Sequence, residues 1–173
     1  MNGPQTRRWL TMLGGAMALC AGMRAQAQDW PQYAAGPERC SASGSNSVPR
    51  VGALRWSLTE HAGQAVAFPN PGGVVVEAGV VYAVGKLGVA DSAFAVDGAT
   101  GAVNWTSAVP AAVAGSWATP ALDAANGVLI VGAGPQLRAL RCADGSTAWA
   151  TTLPGNIVNA SPCITTDRGP ADR

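Results

Sequence analysis

Short apolar runs punctuated by glycine set the pattern of this chain. Val80, Val81, Tyr82, Ala83 and Val84 lie between Gly79 and Gly85, and Val128, Leu129, Ile130 and Val131 lie between Gly127 and Gly132. Runs this short and this rich in β-branched residues read as buried strands, since neither is long enough for a stable helix. Residues 93–96 and 136–140 read as the strands that follow them. Asp97, Gly98, Ala99, Thr100 and Gly101 then form a hairpin turn: Asp and Thr side chains bond turn backbone, and glycine accepts a positive φ. Residues 103–107 return as a strand that carries Trp105, and a fourth strand is expected near residues 118–122.

The pattern repeats. Trp105 and Trp149 stand 44 residues apart, as do Gly101 and Gly145, and Pro110 and Pro154. Gly79 and Gly127 are separated by 48 residues, and the Ala-Thr-Pro at Ala118 and the Ala-Ser-Pro at Ala160 by 42. Landmarks that keep their order while spacing drifts are what loops of variable length between fixed strands produce. A third, partial copy precedes these. Ala53, Leu54, Arg55, Trp56, Ser57 and Leu58 resemble the tryptophan strand without its preceding turn, and Phe68, Pro69, Asn70 and Pro71 take the place of the Ala-Thr-Pro element. A period of roughly 40–50 residues belongs to four-stranded propeller blades.

Composition agrees. Of 173 residues, 48% are hydrophobic and 12% charged, which excludes a highly charged disordered chain. With Gly 22 and Pro 12, the chain suits short strands and turns better than a helical bundle. The net charge of +1 gives no reason to expect nucleic acid as a partner. The basic excess also sits at the front: without residues 1–27 the chain loses Arg7, Arg8 and Arg24, leaving 8 of its 11 basic residues against 10 acidic ones. Arg7 and Arg8 precede an uncharged apolar stretch over residues 9–23, and Ala25, Gln26 and Ala27 supply a small-x-small cleavage pattern. This is the layout of a secretory signal peptide, shorter than a spanning helix needs and interrupted by Gly14 and Gly15. The expected organisation is a signal peptide over 1–27, a lead-in over 28–51, partial propeller repeats over 52–167 and an irregular tail over 168–173. The expected location is outside the cytoplasm, periplasmic or extracellular, with no transmembrane span after cleavage. Leu19 before Cys20 departs from a lipobox, so acylation at Cys20 is not expected.

Ala95, Asp97, Thr100, Gly101 and Trp105 match in full the Ala-x-Asp-x-x-Thr-Gly-x-x-x-Trp tryptophan-docking motif of the quinoprotein-type, or PQQ-like, β-propeller repeat. A second copy keeps Ala139, Gly145 and Trp149 but has Arg141 in place of the aspartate. Asp29, Trp30, Pro31, Gln32 and Tyr33, with Gly36 and Arg39, also resemble the start of exported members. The resemblance spans residues 29–167 and implies an all-β fold of antiparallel propeller blades, about two and a half of them, after an N-terminal signal helix. It implies that Trp105 and Trp149 dock between neighbouring blades as packing residues. Because a propeller closes with typically 4–8 blades, the chain reads as an N-terminal fragment or truncated product.

Family members divide into periplasmic dehydrogenases, which hold pyrroloquinoline quinone and Ca²⁺, and BamB-like or other exported scaffolds that bind no quinone. The dehydrogenases are marked by adjacent cysteines, a catalytic aspartate and calcium ligands. Here there is no Cys-Cys pair, and Glu60, Glu77, Asp91, Asp97, Asp123 and Asp144 are scattered. No catalytic, cofactor-binding or metal-binding residue is therefore assigned, and no cofactor is expected. Lys86 is the only lysine, and Arg138 and Arg141 lie three apart on one strand, out of step with the period of two that would share a face. His61, beside Glu60, has no partners for a zinc site or a triad. The glycines at 85, 88, 132 and 134 complete no phosphate loop. Cys40, Cys142 and Cys163 remain after signal removal, either as isolated thiols or with Cys142 and Cys163 paired. The expected function is that of an exported, non-catalytic binding or assembly scaffold with other exported or envelope proteins as partners. The alternative is the N-terminal piece of a periplasmic PQQ-dependent dehydrogenase.

Overall fold

A computed structural model describes residues 54–68, 73–109, 118–157 and 159–165. The signal segment, the lead-in and the tail lie outside the described residues. All regular structure among the described residues is β, and every strand pairing is antiparallel.

The elements are β1 (Glu60–His61), β2 (Gln64–Ala67), β3 (Val75–Glu77), β4 (Val80–Leu87), β5 (Ala90–Asp97), β6 (Val103–Ala108), β7 (Ala121–Asp123), β8 (Val128–Arg141) and β9 (Thr147–Ile157). The first sheet runs β1-β2-β4-β5-β6, with β3 also paired to β4. One edge of β4 is thus shared: Val80, Val81 and Tyr82 take β3, and Lys86 and Leu87 take β2. Two-residue loops close the β1–β2, β3–β4 and β4–β5 hairpins, the shortest connections an antiparallel pair permits. The second sheet runs β7-β8-β9.

Fully extended, the 14 residues of β8 would span about 46 Å at roughly 3.3 Å each. Yet Cys142 N, just past its end, donates to Gly127 O, just before its start, at 2.9 Å. The segment therefore doubles back, and Gly134, at φ 59, lies near its middle. The same closure occurs in the first sheet, where Gly98 N donates to Gly79 O at 2.8 Å.

Two expectations change. Trp56 sits in a segment, residues 54–59, that forms no strand. Residues 121–123 open the second sheet; they do not supply the fourth strand of the first. The cause is local. The Asp123 carboxylate accepts from Asn126 N at 3.1 Å and from Asn126 Nδ2 at 2.6 Å, building the turn that brings Val128 opposite Asp123. A hairpin this short closes a smaller loop than pairing back to β6 would.

The apolar faces explain how the sheets stack. Tyr82, Ala93, Ala95, Trp105 and Val109 of the first sheet share one core with Leu122, Leu129, Val131 and Leu140 of the second. The opposite face of the first sheet presents Phe94 and Val96, which cluster with Val66 of β2 and have Trp56 and Leu58 packed against them. Successive residues of β5 thus serve opposite faces, the period-two alternation of a strand buried on both sides. Trp56 and Leu58, which precede β1, pack on the Phe94 face of the first sheet, and the second sheet lies against its other side.

Candidate functional site

The candidate site is built from the turn between the last two strands of each sheet and the tryptophan that reaches it. In the first sheet, Asp97 Oδ1 accepts from Ala99 N at 3.0 Å, Thr100 N at 2.7 Å and Thr100 Oγ1 at 2.8 Å. Gly101 N donates to Asp97 O, and Asp97 N to Ala102 O, both at 2.8 Å. The Thr100 hydroxyl and amide hold the Asp97 carboxyl below its ordinary value.

The second turn repeats this backbone. Gly145 N donates to Arg141 O and Arg141 N to Ser146 O, each at 2.8 Å. Arg141 brings no carboxylate, and Asp144 acts in its place, accepting from Ser146 N at 2.9 Å. Hydrogen bonding to Ser146 lowers the Asp144 carboxyl in the same sense. Two sequences with different acids at different positions thus make one turn.

Each turn receives an indole from the copy before it. Trp56 Nε1 donates to Gly98 O at 3.0 Å, and Trp105 Nε1 donates to Cys142 O at 2.8 Å. A β-carbon on Gly101 would stand 2.7 Å from Trp56 Cγ, and one on Gly145 would stand 2.6 Å from Trp105 Cε3. Both glycines also have φ above +70°. The position therefore excludes other residues twice, by backbone conformation and by the ring lying on it. Tyr82 packs against Trp105 with ring centroids 6.0 Å apart and tilted by 47°. Burial, and then the neighbouring Cys142 thiol, push the Tyr82 hydroxyl well above its usual value. Burial likewise raises the Cys142 thiol.

Ala95 is paired with Trp105 and Ala139 with Trp149, so each motif alanine lies beside its motif tryptophan. The two tryptophans then part company. Trp105 is 8% exposed, whereas Trp149 is 43% exposed. Val109 and Leu153, each four residues further on, repeat the contrast at 0% and 36%. Trp105 and Val109 face the second sheet; no described segment seals Trp149 and Leu153 in the same way.

Sequence reasoning missed a second set of inter-sheet bonds. Gly73 N donates to Thr119 Oγ1 at 2.9 Å, and Thr119 N donates to Ser161 Oγ at 2.9 Å. Thr119 is buried. The signal was present in the repeated Ala-Thr-Pro and Ala-Ser-Pro, read there only as a landmark.

The titratable groups do not converge. Lys86 Nζ pairs with Asp91 Oδ1 at 2.9 Å, and the oxygens of Asp97, Asp123 and Asp144 serve their own turns. Arg138 Nε donates to Gln136 Oε1 at 3.1 Å. Among the described residues no group of three His, Cys, Asp or Glu side chains could hold a metal ion. Cys142 and Cys163 are free thiols.

No family model matches the sequence, and no curated protein matches it. Among solved structures the chain is similar to a europium-containing methanol dehydrogenase, with a TM-score of 0.61 at 18% identity over 80% of this chain and 26% of that one. The chain thus spans about a quarter of that protein's length. At this identity the likeness is one of fold.

Proposed function

We propose that the chain is an exported, non-catalytic propeller-repeat protein that serves as a binding or assembly scaffold, with other exported or envelope proteins among its partners. One observation carries the reading: the described blades end on a face that repeats an interface used inside the chain. Trp105 and Val109 are buried there against a neighbouring sheet, and Trp149 and Leu153 present the same arrangement outward. A sheet face that presents an exposed aromatic anchor is a surface suited to docking.

The second reading, an N-terminal piece of a periplasmic PQQ-dependent dehydrogenase, is favoured by the likeness in fold to a methanol dehydrogenase. The donor set argues against a quinone site within the described residues. Ca²⁺ takes 6–8 oxygen ligands. The Asp97, Asp123 and Asp144 oxygens accept hydrogen bonds within separate turns, and Asp91 is paired with Lys86. These carboxylates are committed where they stand and do not fit a converging cation site. Calorimetric titration of the full chain with pyrroloquinoline quinone and Ca²⁺ should give no saturable heat. Stoichiometric micromolar binding would replace the scaffold reading with the dehydrogenase one.

A further inference from the structure

We infer that positions 73, 119 and 161 form a second lock between successive copies of the repeat, in which the backbone N–H of one copy donates to the side-chain hydroxyl of the next. Gly73 N donates to Thr119 Oγ1 and Thr119 N to Ser161 Oγ, both at 2.9 Å. These positions are equivalent. Gly73 stands two residues ahead of Val75, where β3 begins, and Thr119 two ahead of Ala121, where β7 begins. Ser161 takes the place of Thr119 in the next Ala-x-Pro. The two bonds reach across 46 and 42 residues, which is the period of the repeat. One kind of bond that recurs at equivalent positions belongs to the repeat itself.

The residue types suit the task. Thr119 and Ser161 precede Pro120 and Pro162, and a residue before proline is held in an extended conformation. An extended backbone turns its N–H sideways, where a neighbouring segment can accept it. Thr119 is buried and lies ahead of its strand, so its amide needs a partner that no ladder supplies. The Ser161 hydroxyl is that partner. Gly73 has no hydroxyl and acts only as a donor. A β-carbon there would stand 2.6 Å from Thr119 Oγ1, so a side chain at 73 and the hydroxyl exclude each other.

What the lock adds follows from where it sits. Val75, Tyr82, Ala95 and Trp105 are directly opposed across β3, β4, β5 and β6. Gly73 therefore lies on one edge of the first sheet and Trp105 on the other, three strand spacings of about 4.8 Å apart, or roughly 14 Å. Their partners are likewise separated on the second sheet, since Thr119 leads into β7 and Cys142 follows β8. Burial of apolar faces is non-directional and leaves two sheets free to slide and turn on each other. One hydrogen bond at the Trp105 edge pins a point but still allows rotation about it. A second directional bond at the Gly73 edge removes that rotation, so the two together set the angle at which one sheet stacks on the next. The lock is a property of the stack and is independent of what the chain binds.

Hydrogen exchange of the full chain, read by NMR at single amides and indoles, tests it. Thr119→Val removes the hydroxyl at nearly constant shape. Exchange at the Gly73 amide and at the Trp105 indole N–H should each rise about 5-fold, the size of one net hydrogen bond. The Trp56 indole N–H, which donates to Gly98 O on the other face of the first sheet, should stay at the parent rate. Thr119→Ser restores the hydroxyl in the form found at position 161 and should return all three to parent rates. Ser161→Ala should speed exchange at Thr119 and leave Gly73 protected. A melting curve run in parallel shows whether each variant is folded. If Thr119→Val is not, Ser161→Ala decides the matter by whether Thr119 alone loses protection. An unchanged Gly73 amide in folded Thr119→Val would overturn the bond. Both indoles accelerating alike would mean general loosening, and a fast Gly73 amide beside an unchanged Trp105 indole would mean that the two edges do not act together; either overturns the inference.

Discussion

Replacing Trp105 with alanine should destabilise the protein far more than replacing Trp149, although the two residues occupy the same position of the repeat. Trp105 is 8% exposed, packs on Tyr82 and lies in the core shared by both sheets. Truncating a buried tryptophan to alanine costs about 3–5 kcal/mol. Part of that cost is electrostatic. The indole N–H donates to Cys142 O at 2.8 Å, and leaving this part-buried acceptor unpaired accounts for up to ~1–3 kcal/mol. Trp105→Phe keeps a ring but removes the donor, and should therefore lose ~1–3 kcal/mol. Trp149 is 43% exposed, so Trp149→Ala should change stability by under ~1 kcal/mol. For a chain of 173 residues, roughly 2–4 °C of Tm per kcal/mol turns a loss of about 3 kcal/mol into a fall of about 6–12 °C. Thermal unfolding followed by circular dichroism, with the three variants side by side, measures the difference. Equal shifts for Trp105→Ala and Trp149→Ala would refute the reasoning, because burial against the second sheet, with the Tyr82 contact and the Cys142 hydrogen bond that accompany it, is what separates them.

Gly101→Ala should destabilise by at least ~1–2 kcal/mol from its left-handed backbone alone, and by more because the new methyl meets the Trp56 ring; the denaturant midpoint reads this out. Asp97 gives a pH signature. Its carboxyl is held below the ordinary value by Thr100, so its contribution is complete above the unfolded carboxylate pKa of about 4 and is lost as pH falls through the folded value. Asp97→Asn should accordingly flatten the stability profile below about pH 4 while lowering the plateau above it. A variant that keeps the parent's acid dependence would show that another carboxylate dominates it.

What could be read from the sequence was what neighbours in the chain decide among themselves. The turn at 97–101 is made by Asp97, Thr100 and Gly101 acting on backbone within four residues, so its identity is local. The hairpins likewise follow from short apolar runs and the glycines between them. The repeat of 44 residues then transfers each feature to the second sheet, even where Arg141 replaces an aspartate. Tertiary structure alone decided three things. It seated Trp56 on the first turn without making its segment a strand, because an indole and one hydrogen bond suffice where a ladder is absent. It made Cys142 O an acceptor, a role of the backbone that no residue type announces. And it separated Trp105 from Trp149. The motif places an indole on one side of a strand with the same geometry in both copies, but burial depends on which other segment arrives there, and that information lies outside the motif.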